Sequence, residues 1–214
     1  MPDASAPPDP SVQGMGRLLA LTDGVFAFAV TLLVLDLTVP SLTQPTSASL
    51  LVALRDQYVS FLSYLISFFV VGVWWAAHHR LYSYILRFDN ALRWLNLLFL
   101  LPITLVPYFT RLADQYSSIR LPWILYTLDL CVAALLYSAL WHHASTDRRL
   151  LNPEVSEELV RWVSIRTYLL PGLFAVGVLI AFSGEYAALS FAAAGTVLTP
   201  ILLWTYGRRH GEHP

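Results

Sequence analysis

Long apolar stretches separated by short polar segments dominate the chain, and six of them are long enough to cross a bilayer as helices. A helix needs about 20 mostly apolar residues to span the hydrocarbon core. The first stretch stops at Pro40, which a helix interior does not accommodate. The pattern predicts an all-α integral membrane protein. Its expected spans cover residues 18–39, 59–77, 91–110, 121–141, 163–182 and 186–206.

The composition agrees with lipid burial and excludes several functions. Of the 214 residues, 57% are hydrophobic and 13% are charged, whereas a soluble domain carries about 25% charge. The net charge of -1 argues against a nucleic-acid partner. The single cysteine, Cys131, allows no disulfide within the chain. No nucleotide-binding loop, nucleophile elbow or dinucleotide fingerprint is present, so we expect no enzyme, no cofactor and no soluble small-molecule substrate.

Both ends of the chain have tail-like sequences. Residues 1–16 are rich in Pro and acidic rather than basic, so we expect a disordered tail and no cleaved signal peptide. A transmembrane domain is then expected over residues 17–207, followed by a short tail at 208–214. With six spans both termini share one side, which holds ten of the 13 Arg residues. This asymmetry predicts cytoplasmic termini in the plasma membrane.

The first span contains two carboxylates, which are costly inside a bilayer and therefore call for partners. Asp36 is close to the outer end and can reach water. Asp23 lies deeper, and Arg17 is about 600° away around the helix, so the two do not share a face. Partners for Asp23 must come from other helices, unless it faces a water-filled vestibule without one.

Polar residues of the second and third spans provide candidate partners at a similar depth. We predict a polar cluster that joins the first helix to these two. Its expected members are Arg17, Thr22, Asp23, Trp75, His78, His79 and Asn96.

Other polar groups allow more than one interpretation. Adjacent His residues at 78–79 and 142–143 point about 100° apart on a helix, so they do not predict a metal site. Asp129 lies inside the fourth span and either joins a proton or ion path or bonds a neighbouring hydroxyl. Pro102 and Pro107 predict a bend or a local break in the third helix.

Two blocks of sequence resemble one family. The first span, RLLALTDGVFAFAVTLLVLDLTVP, is similar to the signature of the transmembrane protein 175 family, which comprises potassium channels of endolysosomes and their bacterial homologues. The second block, WWAAHHRLYSYILRFDNALRWLNLLFLLPITLVPYFT, is similar to that family's second and third helices. Leu21 and Thr22 replace the Phe-Ser of the signature. The matching residues are Arg17, Asp23, Gly24, Thr31, Leu32, Trp75, His78, His79, Asp89, Asn96 and Pro107.

The resemblance implies a homotetramer of six-helix subunits in the lipid bilayer, with the first helix of each lining a central pore. It also implies permeation of potassium over sodium without a Thr-Val-Gly-Tyr-Gly filter, which this sequence lacks. Rings of bulky apolar residues narrow the family's pore. By position, Phe28 forms the first ring, with Thr31, Leu32 and Leu35 deeper along the helix.

Helical spacing is compatible with this assignment. Phe28, Leu32 and Leu35 share one face, with Thr31 at its margin, although such a stripe can also face lipid or the core. The leading hypothesis is a passive potassium channel of a bacterial plasma membrane, gated by a hydrophobic constriction. The alternatives are a proton-coupled secondary transporter that uses Asp23 or Asp129, and a non-conducting membrane scaffold.

Overall fold

The computed structural model describes the backbone of residues 10–181 and the side chains of residues 14–179. The predicted sixth span at 186–206 and the tail at 208–214 lie outside these residues. The described part is all-helical, as predicted, and five of its helices are long and apolar enough to cross a membrane. Its α-helices are α1 Pro10–Leu33, α2 Ser47–Asp56, α3 Tyr58–Ser83, α4 Asn90–Gln115, α5 Arg120–Ser145 and α6 Glu157–Ala181.

Both ends of α1 differ from the prediction. The helix begins at Pro10, so residues 10–16 are helical rather than part of a disordered tail. Proline suits the first helical turn, where its missing N–H needs no partner. At the other end α1 stops at Leu33 and continues as a 3-10 turn over Val34–Asp36. The prediction that this helix extends to residue 39 is wrong. The helix ends earlier, because Pro40 disfavours helical backbone in the residue before it.

The short helix α2 was not predicted, because its ten residues are too few to span a bilayer. It lies between the first two spans and begins with a capping box formed by Thr46 and Ser49. The Thr46 side chain accepts a hydrogen bond from the Ser49 N–H at 3.1 Å, and the Ser49 hydroxyl accepts one from the Thr46 N–H at 3.0 Å. These bonds satisfy backbone donors that a helix start would otherwise leave free.

The prolines of α4 do not break it. The helix runs from Asn90 to Gln115 through Pro102 and Pro107, and both prolines are buried. Each proline removes one backbone hydrogen bond. Packing against neighbouring helices accommodates this loss in membrane proteins.

The core lies around α5, which packs against α4 on one side and α6 on the other. Its aromatic centre contains Phe99, Tyr137 and Trp141, all essentially inaccessible to solvent. Helix α1 packs on α3 and α4 at the rim of this bundle. One side of α1 is therefore covered by its own subunit and the other is not.

A pair of loops is joined by backbone hydrogen bonds at one end of the bundle. The N–H groups of Leu86 and Arg87 donate to the Leu150 carbonyl at 2.9 and 3.1 Å, and the Asn152 N–H donates to the Tyr84 carbonyl at 2.9 Å. We call this pairing of residues 84–87 with 150–152 the loop clasp. It ties the α3–α4 connection to the α5–α6 connection.

Asp89 adds a charged contact beside the loop clasp. Its carboxylate accepts from the Leu92 N–H at 2.8 Å and so caps α4. It also binds His143 Nε2 at 2.9 Å and Arg149 Nη2 at 3.1 Å. Burial alone would raise the pKa of Asp89. The Leu92 N–H, His143 and Arg149 outweigh it and hold the pKa below its usual value.

Arg166 lies nine residues inside α6 and is buried. Its Nη2 donates to the Tyr137 hydroxyl at 3.4 Å, and its guanidinium lies 5.6 Å from the centre of the Trp162 ring. The helix begins earlier than predicted because Glu157 and Glu158 suit the positive end of a helix dipole.

Candidate functional site

One face of α1 is not covered by the other described residues of the subunit. Phe28 is 64% exposed and Leu35 is 71% exposed, although both are bulky and apolar. Phe26, Ala29 and Leu33 on the opposite side are buried. We call the uncovered side the open face of α1. Its residues recur at helical spacing and include Arg17, Leu21, Gly24, Phe28, Thr31 and Leu35.

The four predicted pore residues do not share this face equally. Phe28, Thr31 and Leu35 are exposed, whereas Leu32 is half-buried. Thr31 therefore lies on the open face rather than at its margin, and Leu32 takes the marginal position. Leu35 lies in the 3-10 turn that follows α1, where each residue turns further around the axis than in an α-helix.

Asp23 is bound by a residue of α3. The indole N–H of Trp75 donates to the Asp23 carboxylate at 2.9 Å. The vestibule alternative, in which Asp23 has no partner, is therefore wrong. His79 contributes no hydrogen bond here; its ring stacks on Trp75 with centroids 5.9 Å apart.

The neighbouring Thr22 belongs to a second, buried network. Asn96 donates from Nδ2 to the Thr22 hydroxyl at 2.8 Å, and its Oδ1 lies 2.6 Å from His78 Nε2. Tyr82 donates to the same Asn96 oxygen at 3.1 Å, while Thr22 donates to the Leu18 carbonyl at 2.9 Å. Thr22 and Asn96 are almost completely buried. Every side chain in this network has a partner, as buried polar groups require.

The expected single cluster thus divides into two links between α1 and the next two helices. One is the Trp75–Asp23 bond, and the other is the network around Asn96. Arg17 belongs to neither, because its side chain lies on the open face and bonds no other side chain among residues 14–179. The division follows from geometry, since adjacent residues on a helix point about 100° apart.

Tyr82 is the member of the network that the sequence analysis missed. It follows His78 by four residues, so the two side chains share a face of α3. Their rings stack with centroids 4.5 Å apart. The four-residue spacing of His78 and Tyr82 at the polar end of this apolar helix could have predicted that Tyr82 joins the network.

The other two histidines of the described residues, His142 and His143, also have side-chain partners. His142 Nδ1 lies 2.9 Å from the Tyr168 hydroxyl, and His143 binds Asp89. Within the described residues, no group of three or more His, Cys, Asp or Glu side chains is arranged to hold a metal ion.

The alternative in which Asp129 bonds a neighbouring hydroxyl finds no support among residues 14–179. Asp129 is buried, and its Oδ2 has no hydrogen-bond partner among the described residues. It lines an apolar groove between α4 and α5.

Comparisons with known proteins identify the family. A family described as the endosomal/lysosomal potassium channel TMEM175 matches residues 17–107. A potassium channel of Streptomyces collinus is 38% identical over 155 residues, which cover 71% of this chain and 74% of that relative. The chain belongs to the TMEM175 family. The family resemblance found in the sequence is thereby confirmed, and the chain is a multi-pass membrane protein.

Two further comparisons relate this TMEM175 chain to proteins of the bacterium Chamaesiphon minutus. A potassium channel of Chamaesiphon minutus is 34% identical over 176 residues, covering 81% of this chain and 87% of the relative. The crystal structure of a lysosomal potassium-selective channel TMEM175 homolog from the same organism superposes with a TM-score of 0.78 at 30% identity. That superposition covers 88% of this chain and 97% of the homolog.

Proposed function

We propose that this protein is a potassium-selective channel of a bacterial plasma membrane, in which four copies of the chain place the open face of α1 around a shared axis. The observation that carries the proposal is the open face itself. It is continuous, mostly apolar and not covered by any other part of residues 14–179, in a family whose bacterial relatives are named potassium channels. No cofactor is required, and potassium is the permeant ion.

The open face is suited to form a hydrophobic constriction. Between Arg17 and Asp36 the only charged residue of α1 is Asp23, which Trp75 holds from the side. Leu21 and Phe28 lie seven residues apart and so project in nearly the same direction about 10 Å apart along the helix. Rings of such residues around an axis resist wetting, and hydration returns when the rings widen.

Thr31 supplies an oxygen on this otherwise apolar face. Its hydroxyl donates to the Phe28 carbonyl at 2.9 Å, so its proton points back into the helix. The oxygen keeps acceptor capacity toward the axis. A ring of such oxygens next to the Phe28 ring would give a dehydrating cation a partial substitute for water.

A groove beside the open face supports assembly from several copies. It lies between α1 and α3, has a volume of about 450 Å³, and opens at the surface of the subunit. Its lining is mainly apolar and includes Ala27, Val30, Val71 and Gly72. Of these, Ala27 and Gly72 are small, and small residues allow close helix approach in membranes. We propose that a neighbouring subunit packs here in a homotetramer with six spans per subunit and cytoplasmic termini.

The described contacts do not favour the proton-coupled transporter. Such a mechanism needs a carboxylate on an aqueous path. Asp129 faces an apolar groove, and Asp23, although exposed, accepts a hydrogen bond from Trp75.

Ion flux from purified protein in liposomes tests the proposal. We expect potassium flux down its gradient, with slower sodium flux, and a severalfold increase for Phe28→Ala. Leu98→Ala is the matched control, because Leu98 is also an exposed apolar residue but belongs to α4. Absence of flux would contradict the channel, and equal effects of both substitutions would contradict Phe28 as the constriction. Flux driven uphill by a pH gradient would favour the transporter.

A further inference from the structure

Asp129 lines a groove whose other described lining residues are all apolar. The groove runs between α4 and α5 and has a volume of about 350 Å³. Its walls include Leu98, Leu101 and Leu105 from α4, and Leu128 and Val132 from α5. These five leucine and valine side chains are exposed on the subunit surface, whereas Asp129 at the base is only 7% exposed.

Within the part of the chain that the structure describes, one oxygen of the Asp129 carboxyl group is buried without a hydrogen-bond partner. This oxygen is Oδ2, and none of the described Arg or His side chains forms an ion pair with the carboxyl group. A buried polar group without a hydrogen bond is unfavourable by a few kcal/mol. This distinguishes Asp129 from Asp23 and Asp89, which both have donors.

The depth of Asp129 restricts what could bind it. It is nine residues from the start of α5 at Arg120, about 13 Å along the helix. The hydrocarbon core is about 30 Å thick, so the carboxyl group lies near its middle. Phospholipid headgroups remain at the bilayer surface, and an acyl chain alone offers no donor. A partner at this depth needs an apolar body together with a cationic or donor group.

We propose that the α4–α5 groove is a binding site for a lipophilic amine, whose ammonium group pairs with Asp129 while its apolar body fills the groove. The volume is within the range of small-molecule sites, and one placed polar group in an apolar pocket is their usual composition. This site is separate from the open face of α1. The inference therefore stands whether or not the proposed ion conduction is correct.

Photolabelling in liposomes tests this site. The full chain is reconstituted and exposed to a long-chain primary amine that carries a diazirine, or to the alcohol of the same chain. Labelled positions are then mapped by mass spectrometry. We expect the amine to label the groove about tenfold more than the alcohol does, which corresponds to about 1.4 kcal/mol. In Asp129→Asn, labelling by the amine should fall to the level of the alcohol.

Two further variants keep the result interpretable. Asp114→Asn removes a carboxyl group on α4 outside the groove and should leave the preference for the amine intact. Leu101→Trp keeps the carboxyl group but fills the groove, so it should reduce labelling by both probes even if Asp129→Asn does not fold. Equal labelling of the groove by amine and alcohol would overturn the proposal. So would an unlabelled groove, which would mean that another segment or subunit covers it.

Discussion

The indole N–H of Trp75 donates a 2.9 Å hydrogen bond to the carboxylate of Asp23. The adjacent residue, Thr22, is bonded to Asn96 of α4. Two consecutive residues of α1 are thus fixed to two different helices. Because they point in different directions, the two bonds together fix the rotation of α1 about its own axis. That rotation decides which side chains form the open face.

The Trp75–Asp23 bond should contribute measurably to stability. Trp75→Phe removes the donor but keeps an aromatic ring, and we expect it to lower the free energy of unfolding by about 1 kcal/mol. Thermal unfolding in detergent measures the effect. A double-mutant cycle with Asp23→Asn should give a coupling energy of similar size. Additive effects of the two substitutions would show that the bond does not stabilise the fold.

The Asn96 network should be more sensitive because it is buried. Asn96→Leu leaves polar atoms of Thr22, His78 and Tyr82 with fewer partners, and each such loss costs about 1–3 kcal/mol. We expect a total destabilisation of about 3 kcal/mol, seen as a lower unfolding temperature. Asn90→Leu is the matched control, since Asn90 is exposed at the start of the same helix. A similar loss in both variants would contradict a specific role for Asn96.

The open face of α1 should be accessible from water if it lines a passage. In a Cys131→Ala background, we expect Phe28→Cys, Thr31→Cys and Leu35→Cys to react with a membrane-impermeant thiol reagent and to lose potassium flux. Ala29→Cys lies on the buried side and should remain unreactive. Flux before and after treatment provides the measurement. Unreactive cysteines at all three positions would indicate that the face contacts lipid.

The charge of Asp89 should make stability depend on pH in a defined direction. Its pKa is lowered in the folded protein, so its contribution is present above the unfolded value of about 4 and is lost as the pH falls through the folded value. Asp89→Asn keeps an oxygen that can cap α4 but removes the charge. We expect it to unfold at a lower temperature than the unchanged protein at pH 7.

The same comparison at low pH provides the internal check on Asp89. The difference in unfolding temperature should close once the pH falls below the lowered folded pKa of Asp89, because the carboxyl group of the unchanged protein is then protonated. Asp56→Asn, at an exposed position on α2, should differ little from the unchanged protein at either pH. If the difference in unfolding temperature persists at low pH, the charge of Asp89 is not what stabilises the protein.

The spans could be predicted because lipid burial demands long apolar stretches, but their ends could not. Helix α3 continues to Ser83, past the expected end at residue 77. Hydropathy falls at His78, His79 and Arg80, yet the helix persists because His78 finds a buried partner in Asn96. A hydropathy profile carries no information about such contacts between residues that are distant in the sequence.

Most residues of the polar site were also predictable, but Tyr82, the exclusion of Arg17 and the pairing of the side chains were not. Trp75 and Asn96 were both candidates for Asp23, but Asn96 binds Thr22 instead. The choice depends on the rotation of α1 relative to its neighbours, which a sequence pattern does not specify. Leu32 lies at the margin of the open face for the same reason, because its position also depends on the rotation of α1.

The loop clasp has a mechanical consequence. Backbone hydrogen bonds between residues 84–87 and 150–152 join α3, α4, α5 and α6 into one stiff frame. Helix α1 meets that frame through side chains alone within the described residues, and beyond its 3-10 turn the chain is extended at Leu37. If α1 lines the proposed passage, a change in its width is therefore best accomplished by tilting or twisting this one helix of each subunit, with the frame as its stationary support.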